Sequence, residues 1–244
     1  MSFIDRRGPL AVIVGWLLAA LILALGLVPV AEAQQVPKLA PTYLPILVKQ
    51  QRAIWPDAPA PLHFLGAQVE QESCISLTHP KCWNPNVQLK TSREWGRGLG
   101  QVTTAYRVDG SVRFDKQAEL RAQFASLRGW STERWSDPQY QLTAIVEMDR
   151  SIFKRIRDTA TPREGIAFML AAYNGGEAGL LQDRRLCANT RGCNPGFWFG
   201  HTELHSMKTR MVNKGYGKSA FEINREYPRN VLGIRLPKYA PYWN

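Results

Sequence analysis

A mostly α-helical fold is predicted for this chain on three observations. Apolar residues recur at three- and four-residue intervals in segment after segment, the period of a helix face. Two helix starts are written out in full, Asp137-Pro138 and Thr161-Pro162-Arg163-Glu164, each a capping side chain followed by proline in the first turn. No alternation of strand type stands out anywhere in the chain. The expected class is all-α, or mostly so, in one domain spanning 42–244.

The first helix is expected in "YLPILVKQQRAIW", where Leu44, Leu47, Val48, Ile54 and Trp55 fall near one face. A second is expected in "PLHFLGAQVEQES", residues 61–73. "DKQAELRAQFASLRG" offers Leu120, Phe124 and Leu127 before a stop at Gly129. The helix opened by Asp137-Pro138 carries Leu142, Ile145, Ile152, Phe153 and Ile156. In "TPRE", Thr161 and Glu164 have the spacing of a capping box. The helix that follows is apolar nearly all round, which predicts burial, and Gly175-Gly176 supplies its C-cap. A last helix is expected within "SAFEINREYPRNVLGI", kinked or split by Pro228.

Before this domain the chain reads differently. Arg6 and Arg7 precede an uncharged stretch from Gly8 to Ala31, followed by Ala31-Glu32-Ala33, the small-x-small pattern cut by a signal peptidase. The apolar stretch is also long enough to span a bilayer, so residues 1–33 are either a signal peptide or a membrane anchor attached through residues 9–30. Either way the rest is exported, into the periplasm or anchored facing it, and residues 34–41 read as a short linker. Export lets the four cysteines pair. The sequence-local pairing, Cys74–Cys82 with Cys187–Cys193, is expected, and no metal site is, because no CxxC spacing occurs and His201-Thr202-Glu203-Leu204-His205 lacks the zinc-protease order.

The net charge of +11 suits an exported protein drawn to polyanions such as cell wall or an anionic membrane surface. No block of five Lys or Arg appears, and no nucleic acid partner is expected.

"VEQES" raises a question about two carboxylates. On a helical reading Leu62, Leu65 and Val69 form an apolar stripe that Glu72 continues, while Glu70 is turned away by about 100°. Glu72 is then the residue facing apolar surroundings, where desolvation raises a carboxyl pKa towards that of a general acid. Glu70 is expected to face water. If the helix ends before residue 72, Glu72 is instead a plain surface carboxylate.

Three stretches in order bear on this: Glu72-Ser73, then Ser92 nine residues before Gln101 in "GRGLGQ", then "AAYNGG" from Ala171 to Gly176. Together, over about residues 60–180, they resemble the soluble family of lytic transglycosylases, which shares a lysozyme-like fold with goose-type lysozymes. A fainter echo lies in "YPRNVL", Tyr227 to Leu232. The resemblance implies Glu72 as catalytic acid/base, Ser92 and Gln101 as hydrogen-bonders to substrate, and Tyr173, with Asn174 beside it, as the hydroxyl that orients the glutamate or the sugar. Read without it, Ser92 is a turn residue, Gln101 a loop cap and Tyr173 core.

The chain also departs from the family. The interval from Glu72 to Gln101 is longer by about ten residues and holds Cys74, Cys82 and Trp83, which reads as an inserted, disulfide-pinned loop beside the cleft. The family's Met before the Gln is Gly100 here, so an apolar wall of the sugar site is expected to be missing. The family's Glu, four residues before the Tyr of its last motif, is Ile223 here, with Glu222 next to it.

The activity implied is cleavage of peptidoglycan glycan strands between N-acetylmuramic acid and N-acetylglucosamine to a 1,6-anhydro product, with no cofactor and one carboxyl. Hydrolysis as an endolysin-like muramidase, or a non-catalytic wall-binding part of a secretion or conjugation apparatus, are the alternatives, with secretion or phage-lysis machinery as expected partners.

Overall fold

In a computed structural model, residues 35–213 and 217–243 are described. The signal or anchor expected over 1–33 lies outside these residues. No helix among those described is long and apolar enough to cross a membrane.

Among the described residues, seven α-helices and a small antiparallel sheet make up the fold. Helix α1 (Ala40–Ile54) starts earlier than its apolar pattern suggested. Ala40 is fully buried and Val36 and Leu39 pack on the core, so residues 36–41 belong to the domain rather than to a linker. Helix α2 (Phe64–Ser73) follows, and α4 (Pro138–Arg155) and α5 (Pro162–Gly175) lie beside it in the core. Both predicted starts form. Asp137 accepts from the Gln139 amide, and Thr161 accepts from that of Glu164, each such cap being worth about 1 kcal/mol. The capping box is only half made, because the Glu164 carboxylate instead accepts the backbone N–H groups of Trp198 and Phe199. Helix α5 is buried continuously from Gly165 to Ala172, as its all-round apolar sequence requires. Helix α6 (Glu177–Ala188) follows it, and α7 (Ala220–Arg229) packs on α5.

The class is helix-rich but not purely α. Residues 88–115 form a four-stranded antiparallel sheet in sequence order, β1 (Gln88–Lys90), β2 (Glu94–Arg97), β3 (Val102–Tyr106) and β4 (Val112–Asp115). With α3 (Lys116–Gln123) the sheet packs on the outer side of α4 through Val102, Leu120, Leu127, Trp130 and Ala144. A second, two-stranded ribbon joins β5 (Val212–Asn213) to β6 (Lys218–Ser219).

Helix α7 begins with a complete capping box between Ser219 and Glu222. It does not stop at Pro228. It runs to Arg229, widens into a π-helical turn over Asn230–Arg235, then tightens into a 3-10 stretch over Leu236–Tyr242. Pro228 lacks the N–H that would close the preceding turn, and the ladder changes register just beyond it. This C-terminal run packs along α2. Both disulfides form as expected, Cys74–Cys82 and Cys187–Cys193, with no free cysteine. Such pairs persist in an oxidising compartment outside the cytoplasm.

Candidate active site

Helix α2 ends at Ser73, so Glu72 sits in its last turn, at the edge of a cleft of about 290 Å³. The sheet forms the opposite wall. Alternation along strands puts Leu89, Gly96 and Thr103 in one cross-strand row, with Glu94 on the same face of β2, and all four line the cleft. Gln101 lines it too, as do Cys74, Ile75 and Lys81 of the disulfide loop. The loop closed by Cys74–Cys82 is thus a cleft wall, pinned at the residue that follows Glu72-Ser73. Ser73 fastens it further, since its hydroxyl donates to the Val69 carbonyl and accepts the Trp83 amide.

Glu72 is half-buried and its Oε1 accepts a hydrogen bond from the Tyr227 hydroxyl. Desolvation raises its pKa to about 7, and the Tyr227 bond pulls in the other direction by stabilising the carboxylate. Glu72 can therefore hold or release a proton near neutrality. Tyr227 stacks on Tyr173, with ring centroids 6.3 Å apart. Tyr173 in turn donates to the Gly100 carbonyl at 2.8 Å. Burial and the nearby Glu72 push both phenols well above their usual range, so they remain neutral donors.

The "GRGLGQ" loop is held from behind by α4. Gln141 Oε1 accepts the Leu99 amide at 2.9 Å, and a side chain on Gly98, at φ +72°, would run into Gln141. A Cβ on Gly100 would lie 2.7 Å from Ile145 and 3.0 Å from the Tyr173 hydroxyl. Gly100 faces these two side chains rather than the cleft. Gln101 donates its amide to the Gly98 carbonyl, and its Oε1 lies against Gly96, where a Cβ would come within 2.7 Å.

The cleft brings together Glu72 and Gln101 of the expected site residues, with Tyr173 one hydrogen bond behind them. Ser92 is exposed in the turn between β1 and β2 and does not line the cleft. Asn174 is exposed at the end of α5, where its Oδ1 accepts from Asn224 of α7, so it braces the helix that carries Tyr227. The hydroxyl on Glu72 comes from Tyr227, not from Tyr173, and the only sign of this in the sequence was the "YPRNVL" echo. Glu222 is exposed and serves as the cap of α7. Trp83 and Trp198 are fully buried core residues, while Trp95 is half-buried between Lys90 and Arg97.

The expectation for Glu70 is overturned. It is only 2% exposed, with Oε1 2.7 Å from Lys238 Nζ and 3.4 Å from Arg235 Nε, and Oε2 accepting from the Tyr239 hydroxyl at 2.5 Å. Tyr239 also accepts the Trp83 indole N–H at 3.0 Å. The apolar stripe used to orient α2 covers only one side. The C-terminal run covers the other, so both faces of the helix are buried.

Compared with known proteins, the chain matches no family model and no curated protein.

Proposed function

We propose that this chain is a peptidoglycan lytic transglycosylase with a lysozyme-like fold, exported to the periplasm and acting without a cofactor. The observation that carries the reading is Glu72, a carboxyl with a pKa raised to about 7, held by Tyr227 at the edge of a cleft walled by a sheet and by Gln101. Protonated Glu72 donates to the glycosidic oxygen between N-acetylmuramic acid and N-acetylglucosamine, and the bond from C1 to that oxygen breaks. The carboxylate left behind takes the proton of the muramic C6 hydroxyl, whose oxygen closes on C1. The proton returns to Glu72 and the product is a 1,6-anhydro sugar. A general acid/base with a pKa near the working pH suits both halves of this cycle. Gln101 is the cleft residue that hydrogen-bonds the substrate, while Tyr173 and Asn174 support Tyr227 from behind. Basic surface charge favours capture of the wall, with inner-membrane attachment through residues 9–30 or secretion or phage-lysis machinery as further partners.

A second reading, hydrolysis by water as in a muramidase, is favoured by one observation: Glu94 also lines the cleft, and paired carboxylates are the usual equipment for activating water. Mass spectrometry of digested peptidoglycan separates the two, because an anhydro end is lighter than a reducing end by one water. Reducing ends that disappear in Glu94→Gln would favour hydrolysis. Cleavage that survives Glu72→Gln would reject both.

A further inference from the structure

Asp149 is a second carboxyl near Glu72, and the reaction just described does not use it. It lies on α4, is 0% exposed, and forms no ion pair among the described residues. One face of α4 runs beneath both walls of the cleft: Gln141 holds the "GRGLGQ" loop, Ile145 meets Gly100 one turn on, and Asp149 meets α2 a turn beyond that. The contact on α2 is Gln68, one turn before Glu72 on the same helix face. Gln68 Nε2 donates to Asp149 Oδ1 at 3.2 Å. The remaining oxygen of each group, Gln68 Oε1 and Asp149 Oδ2, is buried without a partner.

Two acceptors cannot satisfy one another, and an unpaired carboxylate here would be strongly penalised. A single proton on Oδ2 would make that oxygen a donor, and a bond from it to Gln68 Oε1 would remove both deficits at once. We propose that Asp149 is kept as a neutral carboxylic acid that closes a two-bond ring with Gln68, making it a positioning residue for the turn of α2 that carries Glu72. Its role in positioning Glu72 rests on the function proposed above; its neutrality does not.

The groups that face Asp149 from neighbouring helices are Gln68 and Glu72 on α2, Tyr173 on α5 and Tyr227 on α7. None is a cation, and burial, reinforced by the Glu72 charge, holds the Asp149 carboxyl well above the usual carboxylate range. Neutrality matters to the site. A charged Asp149 would make Glu72 still harder to ionise, and Glu72 must alternate between acid and base.

The test uses the full-length chain with Asp149→Asn, whose amide can form the same ring without a proton, and Asp149→Leu, which cannot. Asp149 is raised in the folded state, so its contribution to stability is present below pH 4 and lost as pH rises towards its folded value. Relative to Asp149→Asn, the wild-type folding equilibrium should therefore fall by about tenfold per pH unit from about pH 4 up to the folded value of Asp149. Infrared difference spectra in a Glu72→Gln background should show a protonated-carboxyl C=O band at pH 7 that Asp149→Asn abolishes. Turnover should drop about tenfold or more in Asp149→Leu and be recovered in Asp149→Asn, with the alkaline limb near pH 7 unmoved. A flat stability difference or a missing band overturns the neutral acid. Equal turnover in the two variants overturns the positioning role. If Asp149→Leu fails to fold, Gln68→Leu breaks the ring from its other side, and full turnover in that variant overturns the positioning role. If the chain cleaves no glycan, the function reading fails by itself, while the infrared band and the pH slope still decide the state of Asp149.

Discussion

Replacing either glutamate of "VEQES" by glutamine should move stability in opposite directions. Glu70 is clamped by Lys238, whose side chain is 5% exposed, by Arg235 and by the Tyr239 hydroxyl. Removing one partner of a buried pair leaves the other charge uncompensated, typically a loss of about 3–5 kcal/mol. Arg235 retains some solvent, which favours the low end, so about 3 kcal/mol is expected for Glu70→Gln. In a domain of this size that lowers the unfolding temperature by about 6–12 °C.

Glu72 behaves the other way. Its pKa rises from 4.5 to about 7 on folding, so between those values the native state holds a proton that the unfolded chain has released. Wild-type stability is therefore full at pH 4 and lost as pH rises through 7. The upper bound is about 3.4 kcal/mol, from 1.36 kcal/mol per pH unit, and partial exposure reduces it to about 2. Glu72→Gln escapes that loss. It should match wild type at pH 4, exceed it by about 2 kcal/mol at pH 8, and abolish cleavage throughout. Urea titrations at the two pH values read both variants. A Glu72→Gln protein no more stable than wild type at pH 8, or a silent Glu70→Gln, would refute the assignment of one glutamate to the fold and the other to the cleft.

Tyr227→Phe removes a hydrogen bond to a charged group, worth about 1.5–3 kcal/mol; the alkaline limb of cleavage should rise by about one pH unit, and an unmoved limb in the pH–rate profile would remove Tyr227 from the site. Gly100→Ala would force a Cβ to within 2.7 Å of Ile145 and 3.0 Å of the Tyr173 hydroxyl; a loss of about 1–3 kcal/mol in thermal unfolding, with reduced turnover, is expected. Raising salt should weaken binding to whole sacculi, because exposed charges are screened beyond about 8 Å, while turnover of a short neutral saccharide should hold; equal losses on both would place the charge inside the cleft.

The helices were legible where a local signal announced them. Asp137-Pro138 and Thr161-Pro162 cap α4 and α5 as read, because a cap involves only residues within one turn. The sheet was not legible. Its strands are three to five residues long, β1 is exposed throughout, and no run is long enough to establish a period of two. Glu72 and Gln101, which motif order singled out, both line the cleft. Glu70 was misplaced because the residues that bury it lie far along the chain, and periodicity within α2 carries no trace of them. Tyr227 was missed as the partner of Glu72 for the same reason, since nothing near residue 72 announces a hydroxyl on another helix.

That long reach has a consequence for how the protein matures. Glu72 and its hydroxyl are 155 residues apart in the chain, and Glu70 and Tyr239 are 169 apart. A ribosome has long finished α2 before it makes the segments that clasp it, and contacts this distant form late and slowly. A nascent chain carrying the whole cleft wall, from Glu72 to Thr103, still lacks the phenol that holds the acid and the lysine that neutralises its neighbour. On the function proposed above, glycan-cutting competence would arrive only once α7 and the C-terminal run have been made. Loss of residues 235–243 would silence the protein without removing one residue that lines the cleft.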